Sequence, residues 1–345
     1  MAGRRGDGHR IVRWLWTSRR LDARLARATL LPASGLWRLA IAGRNLAFDR
    51  GWRASARLPV PSIGVGNLTV GGSGKTPVAS WIAGWLAARG VKPGVLLRGY
   101  GADEVLVHRH AVPEALVVAD PDRHRGAEQA VAEGAEVLVL DDAFQRRDVI
   151  PDFNLLLVAA ETGRAVRWPL PAGPWREPLS AVGRADFLLV TRKRADLSTA
   201  TSLARELAGG IPTGVVHLAV QSYVSLVHGR SHPASILEGK RVVAASAIAD
   251  PSAFIAQTKA AGAQVQAATW RDHHDFEDQD VAWLARAARK ADFLVITEKD
   301  AVKLRDRWPA SVPEPLVAAL ELHWEAGREQ LEQRLDALVT RGRSD

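Results

Sequence analysis

Short apolar runs alternate with helix-length segments along most of the chain after residue 58. Six runs have the composition of buried strands: 62–65, 94–97, 115–118, 137–140, 154–158 and 187–190. Between several of them lie segments rich in Ala, Glu and Arg, such as 123–133, which predict helices. Because strands that alternate with helices form crossover units, this pattern predicts an α/β domain with a mainly parallel sheet.

A second, shorter series of the same kind follows later in the chain. It predicts strands and helices in alternation over 241–244, 251–261, 264–267, 278–290 and 293–296. Between the two series, residues 215–227 alternate apolar and polar side chains with a period of two, as a two-stranded ribbon or an edge strand would. We therefore predict a first domain over 58–214, a β-ribbon linker over 215–230, and a second, smaller α/β domain with a C-terminal helix over 231–345.

Residues 1–57 differ from the rest of the chain in their charge. They hold thirteen Arg against three Asp, a net charge of +10, whereas the remainder carries −2. Residues 36–47 also repeat apolar side chains at helical spacing, which predicts a basic amphipathic helical arm of one or two helices. Two explanations stay open: the arm lies on an anionic membrane surface, or its helices pack on the body and expose a solvated basic face.

The overall composition narrows the class of protein. Hydrophobic residues make up 47% and charged residues 24%, as in soluble globular proteins, and no apolar stretch is long enough to span a bilayer. The absence of cysteine excludes disulfides, thiolate metal sites and cysteine nucleophiles. The near-neutral body gives no indication of a nucleic-acid partner, and the sequence indicates no obligate protein partner.

The strongest chemical signal is the run Gly71, Gly72, Ser73, Gly74, Lys75 and Thr76, placed between a predicted strand and a predicted helix. Glycines let backbone N–H groups turn toward phosphate oxygens, Lys75 reaches the β- and γ-phosphates, and Thr76 offers a hydroxyl to Mg²⁺. The strict P-loop pattern has glycine where this chain has Thr69, so the match is near rather than complete. The predicted fold class is therefore an α/β protein with a P-loop NTPase-type sheet domain, a second smaller α/β domain and the helical arm.

Asp141 and Asp142 follow the apolar run 137–140 and supply the acidic half of such a site. One carboxylate can hold Mg²⁺ while its neighbour orients a hydroxyl or the metal shell. The guanine-reading pattern of GTPases is not matched at 191–196 or at 297–300, because the spacing is wrong in both. The sequence thus predicts ATP and Mg²⁺ as cofactors, with Thr76, Asp141 and Asp142 as the metal ligands.

Six ordered motifs resemble those of the tetraacyldisaccharide 4′-kinase family, the lipid A kinases. They cover most of the chain to about residue 305, and they lie at 65–77, 97–101, 141–145, 170–178, 272–276 and 297–303. The resemblance implies ATP-dependent phosphorylation of the 4′-hydroxyl of a tetraacylated disaccharide 1-phosphate in lipopolysaccharide biosynthesis. It also implies two α/β domains joined by a β-ribbon, with the nucleotide between them, and peripheral attachment to the cytoplasmic face of the bacterial inner membrane.

The family's catalytic aspartate maps onto Asp103, which we expect on a loop after the second strand. A sugar hydroxyl that attacks a phosphate needs a proton acceptor, and His273 would orient Asp103 or relay the proton. Arg176 would clamp either the substrate's 1-phosphate or the transferred phosphoryl group. Around the paired aspartates the family usually has glycine and histidine, where this chain has Ala143 and Arg146, so a role for that histidine does not carry over.

Two other classes of function stay open on the residues alone. A P-loop ATPase switch would hydrolyse ATP at the membrane in response to a protein partner. A membrane-surface binding module would keep only a vestigial nucleotide site, but intact Lys75, Thr76, Asp141 and Asp142 argue against it.

Overall fold

The computed structural model describes residues 7–99, 102–163 and 165–342. Contacts divide these residues into two compact units, the larger formed by 9–99, 108–217 and 323–342 and the smaller by 7–8, 102–107 and 218–322. Boundaries between the units fall inside two helices and two long strands.

The larger unit is built on a mainly parallel sheet with the strand order β7-β6-β5-β1-β4-β2-β3. Its strands are β1 (Ser62–Asn67), β2 (Pro93–Leu97), β3 (Leu116–Ala119), β4 (Val137–Asp141), β5 (Phe153–Ala159), β6 (Phe187–Arg192) and the start of β7 (Thr213–Ser225). The six pairings that join these strands are all parallel. Every residue of β1, β2 and β4 is buried, which explains why these strands are continuous apolar runs rather than alternating ones.

Helices separate these strands in the manner of crossover units. They are α3 (Lys75–Ala87), α4 (Ala102–Ala111), α5 (Arg123–Ala132), α6 (Ala160–Gly163) and α7 (Leu197–Leu207). The α5 helix begins where Asp122 accepts hydrogen bonds from the backbone N–H groups of His124 and Arg125, the geometry of a helix N-cap.

The smaller unit has a second parallel sheet region with the order β10-β9-β11-β12. Its elements are β8 (Ser231–Pro233), β9 (Arg241–Ser246), α8 (Pro251–Ala260), β10 (Gln264–Thr269), α9 (Asp278–Lys290), β11 (Phe293–Thr297), α10 (Glu298–Leu304) and β12 (Leu316–Ala326). β8 pairs antiparallel with β7, so the alternating segment forms a ribbon as well as a sheet strand. The C-terminal helix, α11 (Arg328–Gly342), belongs to the larger unit.

Asp103 lies in the first turn of α4, and the prediction that it sits on a loop was wrong. The first turn of α4 contains Ala102 and Glu104, which are good helix formers, and its two acidic side chains favour the positive end of the helix dipole. The segment that follows β2 therefore forms a helix. Tyr100 and Gly101 of the motif at 97–101 lie outside the described residues.

The arm forms two helices, α1 (Asp7–Thr17) and α2 (Leu21–Asp49). One face of α2 packs on the larger unit: Ser34 Oγ donates to Pro169 O at 3.1 Å, and Trp37 Nε1 donates to Arg176 O at 3.1 Å. The opposite face exposes apolar side chains, namely Leu21, Leu25, Leu36, Leu39 and Leu46. One face of α2 is therefore packed against the larger unit, and the other face carries a stripe of exposed apolar side chains. Within the described ranges no helix is both long enough and apolar enough to cross a membrane.

Candidate active site

The phosphate-binding loop connects β1 to α3, whose first residue is Lys75. Gly71 and Gly74 both have positive φ, 123° and 81°, a conformation that favours glycine, and Gly74 is the N-cap of α3. This geometry places the loop at a helix N-terminus, where backbone N–H groups and the helix dipole favour an anion. The prediction of a P-loop site rests on the same residues.

Asn67 holds this loop in shape, a role that was not predicted from the sequence. Its side-chain Nδ2 donates to Thr69 O and to Ser73 Oγ, both at 2.7 Å. Gln145 Nε2 in turn donates to the Asn67 carbonyl at 2.6 Å. Thr69, which stands where the strict motif has glycine, is buried. Although this segment matches the strict P-loop motif only in part, it forms a loop that the Asn67 amide holds at Thr69 and Ser73.

Asp141 ends β4 within a buried hydrogen-bond network. Its Oδ2 accepts from Thr76 Oγ1 at 3.2 Å and lies 3.2 Å from His108 Nε2, while His108 Nδ1 lies 2.9 Å from Ser80 Oγ. The Asp141 carbonyl accepts from Arg123 Nη2 at 2.8 Å. Burial lowers the pKa of Arg123 to about 10, partly offset by Asp141, so the guanidinium remains charged at neutral pH. His108 and Arg123 were not predicted, because their partners are distant in sequence.

Asp142 follows with φ of 54° and faces two cations. Its Oδ1 lies 3.5 Å from Lys75 Nζ and 3.2 Å from Arg176 Nη1. Arg176 Nη1 also donates to Gln145 Oε1 at 3.2 Å. The structure thus gathers Lys75, Asp142 and Arg176, three residues that the sequence named for the site, together with Gln145.

The carboxylates and the Thr76 hydroxyl offer only oxygen atoms, the ligand type that Mg²⁺ prefers. The contact between Thr76 Oγ1 and Asp141 Oδ2 brings two predicted metal ligands together. No group of three or more metal-binding His, Cys, Asp or Glu side chains occurs among the described residues. This composition fits a magnesium ion that is held by one or two protein groups together with phosphate oxygens.

Two ion pairs border the site. Arg146, at the position where the resemblance leads one to expect histidine, binds Asp148 through Nε at 3.0 Å and Nη2 at 2.8 Å, and Nη2 also reaches Pro121 O at 3.2 Å. The carboxylate of Glu177 pairs with Arg184 at 2.8 Å rather than with its neighbour in sequence. Arg146 therefore links the loop that contains Pro121 to the loop that contains Asp148. Glu177 pairs with Arg184, and the adjacent Arg176 pairs with Asp142 instead.

In the smaller unit, Asp103 and His273 form a hydrogen-bonded pair, with His273 Nδ1 3.0 Å from Asp103 Oδ2. Lys303 Nζ lies 3.3 Å from the same oxygen. Burial would raise the pKa of Asp103, but the positive charges of Lys303, His273 and Lys299 outweigh it and hold that pKa below its usual value. His273 has φ of 57°, and its backbone N–H donates to Ala247 O at 3.2 Å. Asp103 is therefore an anion with a fixed imidazole partner.

The neighbouring residues of this pair have different partners. Glu104 Oε1 binds Lys299 Nζ at 2.9 Å, and His274 Nε2 lies 2.8 Å from Asp280 Oδ2 while its ring stacks on Trp270. Burial would lower the pKa of Lys299, but Glu104 raises it overall. His273 and His274 thus differ in role: one contacts Asp103, and the other packs inside its own loop.

Comparisons with known proteins bear on what these residues do. The family model described as tetraacyldisaccharide-1-P 4′-kinase matches residues 26–340. A tetraacyldisaccharide 4′-kinase of Anaeromyxobacter sp. (strain Fw109-5) is 37% identical over 346 residues, covering 91% of this chain and 92% of that protein. The chain belongs to the tetraacyldisaccharide 4′-kinase family. Another member, from Pelobacter propionicus, is 34% identical and is covered over 91% of its length.

The fold comparison agrees with this membership. The crystal structure of the family member LpxK from Aquifex aeolicus, in complex with ATP, has a TM-score of 0.70 and 27% identity and covers 91% of this chain and 99% of its own. The predicted family resemblance, the α/β fold class and the assignment as a kinase that acts on a hydroxyl group are therefore confirmed. The roles of individual site residues stay predictions.

Proposed function

We propose that the protein transfers the γ-phosphoryl group of ATP to the 4′-hydroxyl of a tetraacylated glucosamine disaccharide 1-phosphate, a lipid A precursor, in lipopolysaccharide biosynthesis. The observation that carries this is a phosphate-binding loop with Thr76 and Asp141 in contact, in a chain whose family acts on that lipid. The ATP bound to the family member from Aquifex aeolicus supports the choice of nucleotide.

In this proposal the phosphate groups bind at residues 71–76, with Lys75 near the β- and γ-phosphates. Thr76, Asp141 and Asp142 would hold Mg²⁺, which when bound neutralises charge on the phosphate oxygens. Arg176 is held by Asp142 and Gln145 at 3.2 Å each, which fixes one guanidinium nitrogen. The guanidinium would stabilise either the transferred phosphoryl group or the 1-phosphate of the acceptor.

Asp103 and His273 would accept or relay the proton of the attacking hydroxyl. The lowered pKa of Asp103 keeps it anionic at neutral pH, so it can accept a proton or hold the His273 ring for a relay. We expect Asp103→Asn to lower kcat by about 10² to 10⁴ with little change in ATP binding. His273→Ala should cost less, and the double variant should lose no more than Asp103→Asn alone.

Steady-state kinetics on the two single variants and the double variant test this pair, with Glu104→Gln as the matched carboxylate control. Losses that multiply in the double variant would mean that Asp103 and His273 act independently. A larger loss of kcat in Glu104→Gln than in Asp103→Asn would show that Glu104, and not Asp103, is the catalytic carboxylate.

We also propose peripheral attachment to the cytoplasmic face of the inner membrane through the arm. Its net charge of +10 attracts anionic lipid, and the exposed leucine stripe of α2 can enter the headgroup boundary. A long-chain acceptor would then be reached from the membrane surface.

ATP turnover with and without the lipid disaccharide tests the whole function. A kinase should turn over ATP only when the acceptor is present and should yield one phosphorylated lipid per ADP. Turnover that ignores the lipid and rises with a protein partner would instead support an ATPase switch, the alternative considered from the sequence.

A further inference from the structure

The end of β6 and the turn that follows it contact the phosphate-binding loop at two points. Thr191 Oγ1 donates to Ser73 O at 2.9 Å, and Lys193 Nζ donates to Gly72 O at 3.0 Å. Thr191 is buried at the end of β6, so the first of these hydrogen bonds is shielded from water. Two consecutive carbonyl groups of the loop are therefore held from the same side by one turn.

Holding these carbonyls also fixes the N–H groups that bind phosphate. In a trans peptide the C=O and the following N–H point in opposite directions. The hydrogen bond to Gly72 O thus directs Ser73 N–H away from Lys193, and the hydrogen bond to Ser73 O does the same for Gly74 N–H. Ser73 N–H here donates to Gly71 O at 2.9 Å, a contact within the loop itself. A loop in which both peptides are fixed needs little further ordering when an anion arrives, beyond the release of Ser73 N–H from Gly71 O.

Glu161, on α6, holds the turn itself. One of its carboxylate oxygens, Oε1, accepts the backbone N–H groups of Lys193, Arg194 and Ala195 at 2.7, 2.8 and 3.1 Å. Burial would raise the pKa of Glu161, but these three backbone hydrogen bonds outweigh it and lower the pKa. The carboxylate is therefore charged at neutral pH, and charged acceptors form the stronger hydrogen bonds.

We propose that Glu161, Thr191 and Lys193 form a brace that positions the phosphate-binding loop for a nucleoside triphosphate. The brace acts through the carbonyl groups of the loop and has no part in activating the acceptor's hydroxyl. Its effect is on nucleotide affinity, and it rests on the proposed function only in taking ATP as the phosphoryl donor.

Direct measurement of ATP affinity tests the brace. Lys193→Met removes the donor at similar length, and Thr191→Val removes the hydroxyl at the same shape. We expect each to raise the Kd and the KM for ATP by about three- to tenfold, the effect of losing one hydrogen bond. The kcat and the KM for the lipid acceptor should stay within about twofold. Thr191→Ser, which keeps the hydroxyl, should restore the wild-type Kd.

Arg194→Met is the matched control, because it removes a positive charge from the same turn while its backbone N–H stays on Glu161. Wild-type affinity in Thr191→Val with a loss only in Lys193→Met would overturn the brace, since that result reflects charge near the phosphates. Equal losses in Lys193→Met and Arg194→Met would overturn it for the same reason. Binding of ATP by a wild-type protein that fails to phosphorylate the lipid would contradict the proposed function, while the Kd comparison would still decide on the brace.

Discussion

Asp142 shares one carboxylate oxygen between Lys75 and Arg176, so each of the two cations has a fixed position. This arrangement suits a phosphate site. Phosphate oxygens can replace the carboxylate as partners of the two cations, and a metal ion can replace the cations as the partner of the carboxylate. The buried partner Asp141 is held differently, by the Thr76 hydroxyl and the His108 ring on Oδ2. The two adjacent aspartates are thus not interchangeable.

Lys75→Ala should lower kcat roughly 100- to 1000-fold, because it removes a preorganised positive charge from the phosphate cradle. The fold should remain, since the Lys75 side chain contacts Asp142 near the surface rather than the core. Steady-state kinetics together with a thermal unfolding curve measure both effects. Near wild-type turnover in a folded Lys75→Ala protein would contradict the P-loop assignment.

Glu298 gives a pH-dependent prediction. Burial raises its pKa from 4.5 to about 7, against a backbone hydrogen bond from Leu320 at 3.4 Å that lowers it. A raised pKa in the folded state means that the folded protein binds the proton more tightly. Stability from this group is therefore present below pH 4.5 and is lost as the pH rises through about 7.

Glu298→Gln, which mimics the protonated form, should be more stable than wild type at pH 8.5 by up to about 3 kcal/mol. At pH 5 the difference should nearly vanish. Urea unfolding at both pH values measures it, with Glu321→Gln, an exposed carboxylate of the same unit, as the control. A stabilisation that is the same at both pH values would show that the charge of Glu298 is not its cause.

At the scale of elements, the two faces of α2 have different surroundings. One is fixed to the body through Ser34 and Trp37, and the other exposes Leu36 and Leu39 at 69% and 70%. Side chains on the exposed face can be changed without cutting those hydrogen bonds. The arm therefore offers a test of membrane binding that does not require deleting a helix.

Leu36→Ser with Leu39→Ser should weaken binding to anionic vesicles and raise the apparent KM for a long-chain acceptor, because it removes apolar surface that enters the lipid boundary. The kcat and the unfolding temperature should stay close to wild type. Vesicle sedimentation and kinetics measure these values, and Val227→Ser, a change at an exposed apolar residue in the turn after β7, is the control. Unchanged vesicle binding would place the lipid contact elsewhere.

Most strands could be predicted because they are buried on both faces, and complete burial produces continuous apolar runs such as those of β1 and β4. The helix that carries Asp103 could not, because its sequence has no apolar stripe to mark it. Site residues were predictable where a local motif encodes the chemistry, as at Lys75. Asn67 and Lys193 act through contacts with backbone carbonyl groups, and no pattern in the sequence encodes those contacts.

At the scale of the whole molecule, the charge is divided unevenly: +10 on residues 1–57 and −2 on the rest. Attraction between this arm and an anionic surface acts over the screening length, which falls from about 10 Å at 0.1 M salt to about 3 Å at 1 M. Binding to anionic vesicles should therefore decline steeply with added NaCl, and binding to neutral vesicles should be weak throughout. Sedimentation across a salt series measures this, and salt-independent binding would argue that the leucine stripe alone holds the protein.

The larger unit includes both early and late parts of the chain, because α11 contributes Leu331 and Leu335, which are fully buried, to it. During synthesis on the ribosome these residues emerge well after residues 9–99 and 108–217, which form most of the larger unit. The smaller unit, whose final described segment ends at 322, is complete before them. At about 5 to 20 residues per second, the phosphate-binding half of the enzyme must wait several seconds, with part of its core uncovered, until α11 arrives. The smaller unit can therefore complete its fold before the larger unit does, although most of the larger unit is synthesised first.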